Sequence, residues 1–368
     1  MIMLERMVRF PLKLLLWGFA IVGAATLALT AMLATPLAHL PELTSVSQAA
    51  RALDRSAMPA LERFSARDGT ELAYRHYPAR SPAKEKIAIL VHGSSGSSIA
   101  VHALADARAA RGVETYAPDI RGHGGSGTRG DIAYIGQLED DLEDLVAVVR
   151  KTSPNQPLTL LGHSAGGGFA LRIASSPIQN LFARTVLLAP YLGYDAPTNR
   201  ADSGGWASAD VPRIFGLLAL RGLGLDCCEA LPTLAFAVPP NSEKILASTY
   251  SYRLMRNFAT RGYRSDFAAV TKPLTLISGA DDELMLAAKY ADAVLAVAAS
   301  VEVKLIEGVS HMGIVSDPRA VSAIAEDVAK AGGGIMTSID AKEAASALND
   351  IEQIVQRVRQ SRTYDIAA

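Results

Sequence analysis

Apolar and polar positions divide the chain into stretches of different rhythm. Leu14 to His39 carries no Asp, Glu, Lys or Arg, and Leu14 to Leu33 is almost wholly apolar. A run of about 20 residues at a helical rise of about 1.5 Å spans a hydrocarbon core of about 30 Å, so it predicts a membrane-spanning helix. From Pro41 to about Pro59 the sequence is mixed and polar, as a tether is. Arg63 to Tyr77 then reads as a hairpin with Asp68-Gly69 at its turn. Beyond it, short apolar runs alternate with helical patterns. The runs are Lys86 to Val91, Val113 to Pro118, the one beginning at Leu158, and Thr185 to Ala189. Helical patterns extend to about Arg111, from about Tyr134 to Arg150, and to Ala174. Continuous apolar strands are buried on both faces of a parallel sheet, and this alternation is that of a wound sheet.

The alternation stops from Tyr191 to Thr271, which holds helical pieces at Arg213 to Leu220 and Ser242 to Phe258 but no convincing strand. It resumes with Leu274 to Ser278, a helix near Met285 to Ala298, Val301 to Ile306, and a helix from about Pro318. The expectation is an α/β fold: a mostly parallel eight-stranded sheet flanked by helices, with a helical insertion after strand six. In residue ranges this gives an anchor or signal sequence (1–40), a linker (41–60), core (61–190), insertion (191–272), core again (273–331) and a tail (332–368). Past Gly332-Gly333-Gly334 that tail has Ile351, Ile354, Val355 and Val358 at helical spacing, as in a helix packed on the body.

Composition narrows this picture. With 368 residues, 49% hydrophobic and 20% charged, the chain can bury a full-sized core and is unlike a disordered one. A net charge of −1 gives no electrostatic reason to expect nucleic acid as a partner. Cys227 and Cys228 are the only cysteines, too close together to staple distant parts of the fold; two free thiols are expected. Arg6, Arg9 and Lys13 precede the apolar run and Glu42 is the first charge after it. The positive-inside rule then leaves the N-terminus in the cytoplasm and the remainder on the extracytoplasmic side. The alternative is a cleaved signal peptide and a secreted enzyme, although the run is long for one and no clear A-x-A site closes it.

The chemistry concentrates at Gly162-His163-Ser164-Ala165-Gly166, where the strand from Leu158 ends and a helix begins at once. This is the nucleophile elbow, G-x-S-x-G. Glycines flank the serine because a Cβ there would strike the neighbouring strand and helix. A serine hydroxyl is a weak nucleophile and needs a base held by an acid, in the chain order Ser, acid, His. Of seven histidines only His311 lies downstream of Ser164, in the loop after the last strand. The loop Gly279-Ala280-Asp281-Asp282-Glu283 leaves the same sheet edge, offering Asp282 as the acid, with Asp281 as the alternative. The oxyanion needs two backbone N–H groups, assigned to Ala165 at the helix N-terminus and to Ser94 after His92-Gly93. No metal or organic cofactor is needed for this chemistry.

These segments, H-G-S-S-G after a strand, D-I-R-G-H-G-G-S, G-H-S-A-G-G, G-A-D-D and G-V-S-H-M-G, occur in order over about Leu61 to Ala331. Together they resemble the α/β-hydrolase superfamily, most closely its monoacylglycerol-lipase and lysophospholipase-like branch. The resemblance implies that Asp119, Arg121 and His123 hold their loop near the site and that the insertion is a lid. One departure is that Glu283-Leu284-Met285-Leu286 stands where the family often has a proline.

The expected activity is hydrolysis of carboxylic esters, with a small-molecule ester or lipid as substrate. Peptidase, thioesterase and C–C bond hydrolase chemistry share the triad, and a non-catalytic binding protein on the same scaffold is the rival from another class. Gly122 to Gly127 formally matches G-x-G-x-x-G, but it follows a later strand and no helix starts directly after it, which disfavours a dinucleotide site.

Overall fold

The computed structural model describes residues 2–80, 86–242, 245–298 and 301–330. The chain divides into two units, Met1–Ala325 and Glu326–Ala368; the fold, the site and the apolar N-terminal helix belong to the first. The tail assigned to residues 332–368, with its Ile351 to Val358 stripe, lies outside the described residues.

Eight strands form one sheet. The hairpin β1 (Leu61–Ser65) and β2 (Glu71–Tyr77) pairs antiparallel, and β2 pairs antiparallel with β4 (Val113–Pro118). The rest is parallel: β3 (Lys86–Val91), β5 (Leu158–His163), β6 (Arg184–Leu188), β10 (Leu274–Gly279) and β11 (Glu302–Ile306) complete the order β1-β2-β4-β3-β5-β6-β10-β11. The central strands β3, β5 and β6 are buried along nearly their whole length, as expected of Val- and Leu-rich runs covered on both faces. Helices α3 (His102–Ala110), α4 (Gln137–Thr152), α5 (Ala165–Ala174) and α11 (Pro318–Lys330) connect or follow these strands. The shorter α9 (Tyr290–Leu295) and α10 (Gly313–Ser316) lie on either side of β11 in the chain. The order β4-β3-β5 places the crossing point of the winding at β3 and β5, so the loops leaving their C-terminal ends open into one crevice.

The insertion differs from the all-helical expectation. It holds α6 (Val211–Gly222), α7 (Tyr252–Asn257) and α8 (Tyr263–Ala269), but also a three-stranded antiparallel sheet of β7 (Ala207–Ala209), β8 (Pro232–Phe236) and β9 (Thr249–Ser251). Of the stretch 242–258, read as one helix, the described residues are helical only over α7. Strands of three residues are too short to display alternation, and β8 reads as one more apolar lid stretch. Cys227 and Cys228, beyond α6, are free thiols.

The N-terminal run forms α1 (Ile2–Leu33), and Leu15–Leu33, with mean hydropathy 1.9, is the one stretch among the described residues long and apolar enough to cross a membrane. Its last turn is not free of the body. Leu29 and Leu33 pack on Leu217, Leu220 and Tyr252 of the insertion, where Gly216 lets the two helices approach. Arg213 of α6 donates Nε–H to the Leu33 carbonyl at 3.0 Å and bonds the carbonyls of Thr35 and Pro232. Thr35 Oγ1 bonds Asp210, which also caps α6 by accepting the Arg213 N–H at 3.0 Å.

The linker expectation for residues 41–60 is likewise corrected. Thr44–Arg51 is a helix, α2, with Val46 and Ser47 buried, and the Leu43 N–H bonds the Ala237 carbonyl of the insertion at 2.9 Å. A polar stretch with one apolar stripe can dock as readily as it can dangle, and its average hydrophobicity does not tell the two apart.

Candidate active site

The site is built on the β5–α5 elbow. Ser164 stands at φ 55°, ψ −120°, a left-handed φ that a residue with a Cβ adopts only when its surroundings impose it. Its N–H bonds the Leu188 carbonyl of β6 at 2.9 Å, and its carbonyl accepts from Gly168 and Tyr191. A Cβ on Gly162 would collide with the Gly166 carbonyl, and one on Gly166 with the His92 carbonyl, so both elbow glycines are required by backbone proximity. Ala165 begins α5, so its N–H is among the first four of the helix, which have no partner within it, at the positive end of the dipole.

His311 and Asp282 meet between the loops that follow β11 and β10. His311 Nδ1 lies 2.8 Å from Asp282 Oδ2, and both side chains are buried. The other Asp282 oxygen accepts the Leu284 and Met285 N–H groups at 2.8 and 2.7 Å. Burial pushes this carboxyl up, but the His311 charge, its hydrogen bond and the two amides outweigh burial and hold it below the ordinary carboxylate value. Asp281, the alternative acid, is exposed, and its N–H bonds the Val309 carbonyl. The His311 N–H donates to Glu283 at 2.9 Å, and its carbonyl accepts from His163 Nε2 at 3.1 Å. Burial and the proximity of His311 push the His163 imidazole down to about 3, so it is neutral.

The loop after β3 carries Ser94 and Ser95, and the insertion grips it. Trp206 Nε1–H donates to Ser94 Oγ at 2.9 Å. Ser95, at φ 64°, donates its N–H to the Tyr250 hydroxyl at 2.7 Å and accepts the Ala247 N–H at 3.0 Å. Tyr250 also bonds His123 Nε2. His123 Nδ1 faces only carbonyls, those of Ile120 and Arg121 at 3.2 and 3.3 Å, so it carries the proton and Nε2 is the acceptor. Burial and neighbouring His92 keep this ring neutral, well below its usual value. The bonds therefore run in one direction, from Ser95 N–H to Tyr250 and from its O–H to His123.

Asp119 accepts the Ser98 and Gly125 N–H groups at 2.7 and 2.8 Å, and Arg121 is paired with Asp141 and Asp68, so this loop braces its neighbours. Tyr250 and Trp206 have no local signature in the sequence; one of only two tryptophans falling in the insertion was the nearest thing to a signal.

Ser94, Ser164 and His311 line one cavity of about 220 Å³. The remaining lining is mostly apolar, from Ile99, Ile245, Leu246, Leu284 and Met312, together with residues of α2 and the turn after it. The structure thus brings Ser94, Ser164 and His311 to one cavity, with Asp282 bonded to His311 and Ala165 following Ser164 at the start of α5.

A family model described as serine aminopeptidase, S33, matches residues 82–319. The monoacylglycerol lipase of Mycolicibacterium smegmatis is 26% identical over 207 residues, 54% of this chain and 71% of that protein. A monoglyceride lipase homolog of Monkeypox virus is 25% identical over 242 residues, 61% of this chain and 81% of that one. Among solved structures, a soluble variant of monoglyceride lipase from Saccharomyces cerevisiae superposes with a TM-score of 0.56 at 18% identity, over 75% of this chain and 95% of that one. The sheet order, the elbow at the end of β5 and the family match agree: the chain belongs to the serine aminopeptidase S33 family and has the α/β-hydrolase fold of a serine ester hydrolase.

Proposed function

We propose that this protein is a membrane-anchored hydrolase of lipid-like carboxylic esters, acting through Ser164, His311 and Asp282. The observation that carries the reading is the buried 2.8 Å contact of His311 with Asp282, beside a cavity that His311 shares with Ser164. With Nδ1–H held by Asp282, His311 Nε2 accepts the Ser164 proton as the hydroxyl attacks the ester carbonyl. The negative oxygen is received by the N–H groups of Ala165 and Ser94, since the Ser95 N–H is committed to Tyr250. His311 then protonates the departing alcohol. Water, activated by the same base, releases the acid from the acyl-enzyme.

The cavity favours an ester over a peptide with a free amino terminus. An ammonium group calls for a carboxylate partner, and among the described residues the lining contains no Asp or Glu while Arg51 and Arg55 border it. Lipid-like substrates suit the apolar lining and the lipase relatives named above. Anchoring by α1 is supported by its exposed apolar length, and the insertion adds Phe215 and Leu223, 59% and 72% exposed.

The test is labelling of the full chain in detergent by a fluorophosphonate probe, beside Ser164→Ala. Labelling lost with Ser164, together with ester turnover, is the expected result. A folded wild-type protein that neither labels nor turns over any ester would remove the reading.

A further inference from the structure

One wall of the cavity comes from residues that precede the hydrolase core and lie outside the family match, which begins at residue 82. Val46 and Ala50 stand at i and i+4 on one face of α2, and Leu53 follows two residues past its end. All three line the cavity that holds Ser164 and His311. The helix is seated rather than loose: Val46 belongs to the main core, Ser47 bonds Glu42, and Leu43 is tied to Ala237. Ala52, only two residues past Ala50, is exposed and borders a different space, a cavity of about 490 Å³ shared with His102 and Asp106. Ala50 thus lines only the cavity of Ser164 and Ala52 only the other, whereas Leu53 borders both.

An ester whose carbonyl carbon sits at Ser164 must send its acyl chain along some wall of a cavity this small. Away from the catalytic groups, apolar surface faces it from Ile99, Ile245 and Leu246 on the core and insertion side, and from the α2 stripe on the other. We propose that Val46, Ala50 and Leu53 form an acyl-chain subsite, so that the segment between the anchor and the core sets chain-length selectivity. This inference rests on the ester-hydrolase reading. Each methylene lodged there is worth about fourfold in kcat/KM, the equilibrium equivalent of burying one CH₂.

The experiment compares p-nitrophenyl esters from acetate to dodecanoate, turned over by the full chain in detergent micelles, with fluorophosphonate labelling of each variant. In Ala50→Phe the dodecanoate-to-acetate ratio of kcat/KM should fall at least about 10-fold, as the ring fills the subsite. In Leu53→Ala, which enlarges the subsite, the optimum should move to longer chains. Ala52→Phe, facing the other cavity, should keep the wild-type profile. Labelled Ala50→Phe and Leu53→Ala proteins that both retain the wild-type profile would overturn the proposal, as would an Ala52→Phe profile shifted as much as Ala50→Phe. If Ala50→Phe does not fold, the smaller Ala50→Leu takes its place, because Ala50 borders only the cavity of Ser164. A wild-type protein that neither labels nor turns over ester sinks the hydrolase reading itself, a distinct failure that takes the subsite with it.

Discussion

The two halves of the site are held by different parts of the molecule. The His311 and Asp282 side chains pair with each other, and Asp282 also accepts the Leu284 and Met285 N–H groups of the sheet domain; the insertion reaches this half at the backbone, where Arg200 donates to the Asp282 carbonyl at 3.0 Å. The loop of Ser94 and Ser95 is gripped by Trp206, Ala247 and Tyr250, all of the insertion. The side chains of the proposed base half are thus held by sheet-domain groups, with the insertion touching only its backbone, whereas the loop of the proposed oxyanion half is held by insertion side chains. Under the proposed mechanism, the seating of the insertion and the geometry of the oxyanion loop are one equilibrium.

The contrast can be broken at its strongest point first. Asp282→Asn leaves Nδ1–H of His311 without its acceptor and favours the wrong tautomer. A loss in kcat of about 10³–10⁴ is expected, whereas Asp281→Asn should stay near wild type; steady-state kinetics on one ester decides between the two. On the lid side, Tyr250→Phe strands a buried Ser95 N–H and leaves His123 Nε2 unpaired. A cost of about 1–3 kcal/mol, roughly 5- to 150-fold, should fall on kcat more than on KM, since the loop acts on the oxyanion and not on the acyl chain. If KM rises alone, the lid shapes only binding.

Both halves rest on neutral histidines, His163 under the base and His123 under the oxyanion loop. Each is depressed in the folded chain, so the unfolded chain binds more protons below about pH 6.5. Their stabilisation is therefore full above that pH and is lost as pH falls, down to about 3 for His163. Asp282, also depressed, adds a loss in the same direction below about pH 4. Melting measured from pH 7.5 to 4.5 should show the decline, and His163→Asn should make its slope shallower by about 1.4 kcal/mol per pH unit. An unchanged slope would mean that His163 takes up a proton in the folded state. The smallest effect expected is from Trp206→Phe, which deletes one partly buried bond to Ser94 Oγ. About 2- to 10-fold in kcat is predicted, matched by Ser94→Ala and not additive with it in the double variant.

What was legible in the sequence was what is local. The elbow announces itself because strand, turn and helix are contiguous and the collisions that require Gly162 and Gly166 occur within a few residues of Ser164 or with the adjoining strand end. The sheet was readable from Lys86 to Ile306 because buried parallel strands are continuous apolar runs. His311 followed from order alone. The contact from Tyr250 to Ser95 spans 155 positions and uses a common residue on a three-residue strand, so no spacing or period could reveal it. The helix α2 was hidden for another reason: a polar octet with Val46 as its one large apolar residue looks like a tether until something is seen to pack on it.

The knot of Arg213, Asp210 and Thr35 also bears on how the enzyme could be made soluble. Arg213 and Asp210 are nearly inaccessible to water, and the carbonyls of Leu33 and Thr35 and the Thr35 hydroxyl take up much of their bonding. A shortened chain starting at residue 41 would discard all three groups and expose the underside of α6 as well. It would carry a buried ion pair stripped of its polar company, a state that costs far more than the loss of a few apolar contacts. The first indispensable residue of a soluble form therefore lies inside the apolar helix, near Leu29, and the solubilising changes belong upstream of it.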